Sequence, residues 1–445
     1  MLNDNDPKRR SSITGLSKLL IEKNPGETFH VFLVHGMQSH GPNAYDPVVA
    51  QLAALLNLDY KWTEQYNVAY ENATTNFSES PTLKVYMYED PRAVNVQFTF
   101  VHWSPLTREY KTQIQLTDTN DFRVGANQRV KTDIINDGFG DVAAMCDNTV
   151  MEKMGKLFDL AFRMLFVDVE ELHVEGPDCN PSLDNYDPDV LKNVAVVSAS
   201  FGTKITSEWF RNVYATHKAS KDLKTIFEEA QKDTTSNFRI QQEIATENFS
   251  LYNLEGERLL IPNFFSADSI DLPELINDSK IFWYSFSNQL VLLDGISFDF
   301  GSHAFVRDLH KKYQDDLKLR PDSLLSPSVS FPDLHEALEA FESDKLSADT
   351  IYAKHVQLTS FYDPNDFLGF KLHDDFTINA KYNKANDVFI PVARVMWLDL
   401  LANPGKAHRG AKENPFVLNI ISKGWNGETS SLPSRRSIMK ELKGK

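Results

Sequence analysis

What this chain lacks narrows its chemistry before any motif is read. It has two cysteines, Cys146 and Cys179, in 445 residues. Their spacing suits neither a disulfide framework nor a zinc site, so they fix no redox compartment, and a single bond between them stays open. Positive charge is also short. A net charge of −16 at pH 7 argues against nucleic acid, whose phosphates require a concentrated basic surface. There is no long apolar run: the most apolar helical stretch, 156–167, is interrupted by Asp159 and Arg163 and is too short to span a bilayer. No apolar core follows Lys8, Arg9 and Arg10, so no signal peptide is legible. The expected location is the cytoplasm, with signal-less export left open. Asp118, Asn120 and Asp121 come nearest to a calcium loop, but its glycine and distal glutamate are missing, and no metal is expected. Repeats and low-complexity tracts are absent.

What is present is a chain that is 42% hydrophobic and can bury a large core, as one elaborated domain or as several small ones. Its most informative stretch is Val194 to Ile205, where β-branched residues run into Ser198-Ala199-Ser200-Phe201-Gly202 and then into a helical pattern. A serine on such a sharp strand-to-helix turn is pushed out above the sheet. Small residues are needed two positions to either side, because strand and helix backbones pass closely there. That requirement selects Ser200, flanked by Ser198 and Gly202. Ser198 itself fails, because Val196 would occupy its small position. Ser198 stands where a glycine is usual, and it is small enough to be tolerated.

Upstream, Phe29 to Val34 reads as a buried strand ending in His35-Gly36-Met37, then the polar turn Gln38-Ser39-His40-Gly41-Pro42 and a helix over about 45–58. Downstream, His355 to Tyr362 reads as a strand that runs into Asp363-Pro364-Asn365-Asp366. Val388 to Ala402 supplies a last apolar strand. A loop follows it and carries His408, ahead of a helical run over Asn414 to Ile421.

A strand ending in His-Gly, a small-x-Ser-x-Gly turn, then a carboxylate and a histidine in that order resemble the α/β-hydrolase superfamily, of the serine lipase and esterase kind. The framework spans about Phe29 to Gly424, although its motifs occupy only a few dozen residues. Val101-His102-Trp103-Ser104-Pro105, Trp283-Tyr284-Ser285-Phe286-Ser287-Asn288-Gln289 and Asp363-Pro364-Asn365-Asp366 are similar to segments of poorly characterised bacterial members, to which no substrate attaches. The resemblance implies an α/β fold, a mostly parallel sheet covered by helices on both faces. It implies Ser200 as nucleophile, His408 as general base and Asp366 as the orienting acid. Asp363 is the fallback acid, since before a proline it reads as a turn former. It also implies an oxyanion hole made by the backbone N–H groups of Met37 and Phe201, with His35, Gly36 and Gly202 in support.

The domain organisation expected is a polar N-terminal tail over 1–27, a catalytic domain over 28–425 and a basic C-terminal tail over 426–445. Insertions at about 105–188, 220–277 and 303–346 are candidates for a cap. An amphipathic helix over about 147–166 offers Phe158, Phe162, Leu165 and Phe166 either to a pocket or, at helical spacing, to the core. Further strands are expected at Thr82 to Tyr88, Val96 to His102 and Ile281 to Leu293. The expected activity is hydrolysis of carboxylic esters, with lipid-like acyl substrates favoured by 30 phenylalanines and room for a cap. The same residues would serve a thioesterase or amidase, and an inactive interaction protein on this fold is the alternative from another class. No cofactor is required. Beyond the substrate, the only partner suggested is an anionic membrane surface, weakly, through the basic termini.

Overall fold

The computed structural model describes residues 12–38, 40–70, 80–117, 131–164, 193–210, 280–293 and 356–363, and parts of 249–259 and 366–426. A ten-stranded sheet organises them, in the order β10-β9-β8-β5-β1-β4-β3-β2-β6-β7. The strands are β1 (Thr28–Val34), β2 (Asp59–Tyr70), β3 (Thr82–Glu89), β4 (Asn95–His102), β5 (Asn193–Ala199), β6 (Phe249–Tyr252), β7 (Arg258–Leu259), β8 (Lys280–Phe286), β9 (Val356–Tyr362) and β10 (Lys384–Phe389). From β10 to β4 every neighbouring pair is parallel. From β4 to β7 every pair is antiparallel. The helices are α1 (Leu16–Ile21), α2 (Asp46–Leu56), α3 (Arg108–Thr117), α4 (Gly140–Ala144), α5 (Asn148–Arg163), α6 (201–210) and α7 (Pro415–Lys423). This is an α/β protein with a mixed, mostly parallel sheet and flanking helices.

The central parallel strands β1, β5 and β8 are mostly apolar because both faces of the sheet are covered there. Strand alternation divides their side chains between two cores. Phe32, Val34, Val194 and Val196 join a core with Phe158, Phe162, Phe201, Ile205 and Trp209, which come from α5 and α6. Phe29, Val31, Leu33, Ala195 and Val197 join the opposite core with Leu16, Val48, Leu52, Val417 and Ile421, from α1, α2 and α7. The helix after β1 therefore covers one face, and the helix after β5 covers the other. Adjacent parallel strands whose helices leave to opposite faces open a crevice at their C-terminal ends, where α/β proteins bind ligands.

Local signals set the helix ends. The Asp147 side chain accepts from Thr149 N–H at the start of α5, and Asn414 accepts from Phe416 N–H at the start of α7. Asn57 ends α2 in the left-handed conformation.

Four sequence expectations need correction or completion. The last strand of the sheet is β10, not a run over Val388 to Ala402. In the sequence Pro391, which has no N–H to donate, comes after Ile390, and Val395–Met396 pairs antiparallel with Leu401–Ala402 as a separate small ribbon. Residues 1–27 are not all tail: Ile13 bridges to Trp425, and Leu16, Leu19 and Leu20 are buried. Part of the 220–277 stretch is sheet, since β6 and β7 extend its antiparallel end. Strand β2 adds to the expected strands: Tyr60, Trp62, Tyr66, Val68 and Tyr70 alternate with polar residues, and Glu64 breaks the series. Leu165, Phe166, Cys179, the 303–346 stretch and the basic ends lie outside the described residues. Among the described residues no helix is long and apolar enough to cross a membrane.

Candidate active site

Strand β5 ends at Ala199, and Ser200 turns the chain with φ of 51°. For a residue with a Cβ this conformation costs about 1–3 kcal/mol, so neighbours must hold it in place. They do. Ser200 N–H donates to Phe286 O on β8 at 2.7 Å, and Ser200 O accepts from Thr203 N–H at 3.1 Å as α6 begins. A Cβ on Gly202 would overlap the His35 carbonyl, and one on Gly36 would lie 2.7 Å from Ser200 Cβ. The loop after β1 and the turn after β5 thus touch backbone to backbone. Ser198 is more than a tolerated small residue: its Oγ accepts from Trp283 Nε1 at 2.6 Å and lies 2.8 Å from Thr203 Oγ1.

His408 Nε2 lies 2.8 Å from Ser200 Oγ. Its Nδ1 lies 2.9 Å from each carboxylate oxygen of Asp366. The carboxylate is 1% exposed, while the imidazole is 17% exposed and open on one side. Nδ1–H donates to the acid, which leaves Nε2 to accept from the serine hydroxyl. Asp366 is itself fixed: its N–H donates to Asp363 O at 2.9 Å, and its Oδ1 accepts from Leu368 N–H at 2.9 Å. A Cβ on Gly369 would overlap the carboxylate. Asp363 is buried one turn earlier and supplies the carbonyl of that turn.

The loop after β1 is organised by histidines. His35 Nε2 accepts from the N–H groups of Trp103 (3.1 Å) and Ser104 (3.3 Å), so the proton sits on Nδ1 and is donated to Gly36 O at 2.7 Å. In a trans peptide the N–H points opposite the C=O, so this bond also sets the direction of Met37 N–H. Burial, reinforced by His40 and His102, pushes the His35 pKa well below its ordinary value. Its neutral tautomer is therefore the one the structure needs. His102 Nε2 donates to His40 O at 2.6 Å, and Ser104 Oγ donates to the same carbonyl at 3.1 Å.

The sequence points to Ser200, Asp366, His408, Met37, Phe201, His35, Gly36 and Gly202, and the structure brings them together at the C-terminal ends of β1, β5 and β9. Phe201, the first residue of α6, is wholly buried, and Met37 is nearly so. No protein family, characterised protein or solved structure matches this chain.

Several contributors went unrecognised. Ser287 follows β8 with φ of 47°, and its Oγ donates to His408 O at 3.1 Å. Asn288 Nδ2 donates to Phe370 O at 2.8 Å, tying the β8 exit to the acid's loop. Both stand in the Trp283-to-Gln289 segment, whose resemblance was legible although its role was not. Asp141 Oδ2 accepts from Gln38 N–H, and no local signal in the sequence points to it. Chemically, a serine hydroxyl on an imidazole backed by a buried carboxylate can lose its proton as it attacks an electrophile. Among the described residues no group of three or more potential ligands is placed to hold a metal.

Proposed function

We propose that this chain is a serine hydrolase of the α/β-hydrolase kind, cleaving carboxylic esters through an acyl-enzyme on Ser200. The observation that supports this best is the continuous hydrogen-bonded line from Ser200 through His408 to Asp366, with Ser200 in a left-handed turn above parallel strands.

His408 takes the Ser200 proton as Oγ attacks the ester carbonyl carbon. The carbonyl π electrons move to oxygen, and the N–H groups of Met37 and Phe201 receive that charge, helped by the N-terminus of α6. Asp366 holds the imidazole in the required tautomer and stabilises the imidazolium. The tetrahedral species collapses, the C–O bond to the alcohol breaks, and His408 gives the alcohol its proton. Water then attacks the acyl-enzyme with His408 again as base, releasing the acid and restoring Ser200.

Phe158 and Phe162 pack against Trp209 in the core, so they lend no support to a long acyl pocket. A panel of p-nitrophenyl esters of short and long acyl chains, with a thioester and an anilide, therefore tests both reaction and substrate. Wild type is expected to turn over at least one ester and Ser200→Ala none. Equal turnover by Ser200→Ala would refute the reading, and preference for the thioester or anilide would reassign the bond cleaved.

A further inference from the structure

The loop that would supply the first oxyanion donor contains two consecutive peptide groups, and the structure holds both. His35 fixes the Gly36–Met37 peptide through its carbonyl, as described. The next peptide, Met37–Gln38, is gripped at both polar ends. Its carbonyl accepts from His40 Nε2–H at 3.0 Å, and its N–H donates to Asp141 Oδ2 at 2.8 Å. A peptide held at both ends cannot rotate about its Cα–Cα axis without losing two hydrogen bonds. It has a reason to rotate: Gln38 sits at φ of 84°, a conformation that a side-chain-bearing residue leaves when free to do so.

Asp141 is an unusual group to find there. It is fully buried on α4, far from Gln38 in the chain, in the stretch between β4 and β5. Its Oδ1 accepts from Thr107 Oγ1, and Lys111 Nζ on α3 lies 2.9 Å away, itself almost fully buried. A buried carboxylate and ammonium pay heavily to leave water, and a well-packed apolar pair would be at least as stable. Burial raises the Asp141 carboxyl pKa above its ordinary value, and Lys111, Thr107 and the Gln38 N–H oppose that shift without reversing it. Stability therefore does not explain the pair, whereas a strong, directional acceptor for one loop N–H does.

We propose that Asp141, oriented by Thr107 and set beside the Lys111 ammonium, is a positioning residue that locks the Met37–Gln38 peptide and so keeps Met37 N–H aimed beside Ser200. This rests on the hydrolase reading given above. The inserted stretch between β4 and β5 then has a role in the chemistry besides covering the sheet: it completes the oxyanion hole from behind.

Two double variants isolate the acceptor. Asp141→Asn with Lys111→Met removes both charges but keeps an oxygen for Gln38 N–H, and Asp141→Ala with Lys111→Met removes the oxygen too. Each is read by labelling of Ser200 with a fluorophosphonate, as maximal rate and half-saturating concentration, after a circular dichroism melt has shown it folded at the assay temperature. The alanine double variant is expected to lose roughly 10- to 100-fold in maximal rate, with half-saturation within about threefold of wild type. The asparagine double variant is expected to keep its maximal rate within about threefold of wild type. Equal maximal rates in the two double variants would overturn the proposal. Should the alanine variant not fold, Thr107→Val serves in its place: a slower maximal rate at unchanged half-saturation supports the proposal, and an unchanged rate overturns it. Failure of wild type to label at Ser200 would instead refute the hydrolase reading, before Asp141 enters.

Discussion

The two halves of the sheet differ in what their ends carry. Every residue of the candidate site lies at or just beyond the end of a strand of the parallel half, or, like Asp141 on α4 and His408, on a segment that packs against those ends. The antiparallel half, β3-β2-β6-β7, contributes none of them. Parallel strands all finish at the same edge, so their loops converge on one crevice, and each end there is tied to its neighbour. Ser200 N–H donates to Phe286 O, Ser287 N–H to Phe361 O and Ile390 N–H to Tyr362 O. The two serines in that series both take positive φ. Antiparallel strands finish alternately at opposite edges and build no such convergence. The candidate site and its positive-φ residues Gln38, Ser200 and Ser287 stand at the ends of the parallel half, while Asn57 and Ala93, which also take positive φ, only turn the chain beside antiparallel strands.

That contrast can be broken or sharpened by substitution. Ser200→Ala is expected to lose about 10⁴ to 10⁶ in kcat with folding retained, measured by ester turnover beside a melting curve. Asp366→Asn is expected to cost on the order of 10³ to 10⁴, because the amide no longer holds the right imidazole tautomer. A larger loss in Asp363→Asn would move the acid to that residue. Gly369→Ala, whose Cβ would overlap the Asp366 carboxylate, is expected to cost roughly 10- to 100-fold in kcat by displacing it. In the antiparallel half, Lys61→Ala breaks the exposed ion pair with Glu89 and is expected to leave activity unchanged, with a stability change under about 1 kcal/mol by chemical denaturation. A large activity loss there would break the contrast.

Acid should find the parallel half first. Burial lowers the pKa of His30 on β1 to about 3, and those of His40 and His102 at the loop ends to about 4. Lys412, Lys111 and Arg108 are the cations that reinforce this around His40 and His102. Their folded values lie below the ordinary histidine value near 6.5. The stability they contribute is thus complete above that pH and is lost as pH falls towards 4, by at most about 1.4 kcal/mol per pH unit per histidine. Thermal midpoints taken from pH 7 to 4 should fall steadily over this range. A flat profile would contradict the neutral-histidine loop.

Much of this architecture was legible in the sequence, for a physical reason. Strands covered on both faces announce themselves as apolar runs, as β1, β5 and β8 do. A tight strand-to-helix crossing demands small residues at fixed offsets, which is how Ser198 and Gly202 singled out Ser200. Strand β2 was hidden because charged and polar residues lie among its aromatics. Asp141 was hidden because its partner is 103 residues away, and a lone Asp-Val-Ala-Ala run carries no sign of that contact. The Ser287 and Asn288 turn stands in a segment that resembles other hydrolases, but resemblance without geometry assigns no role. Residues 12–27 read as a polar lead-in because Leu16, Leu19 and Leu20 occupy a helix of only 6 residues, too short to show a clear period.

Labelling with a fluorophosphonate followed by peptide mass mapping, on wild type and Ser200→Ala, would decide whether the crevice holds a working nucleophile. The geometry of Ser200, His408 and Asp366 predicts a single adduct on Ser200 in folded wild type and none in Ser200→Ala. Folded wild type that stays unlabelled, or that carries its adduct on another residue, would contradict it.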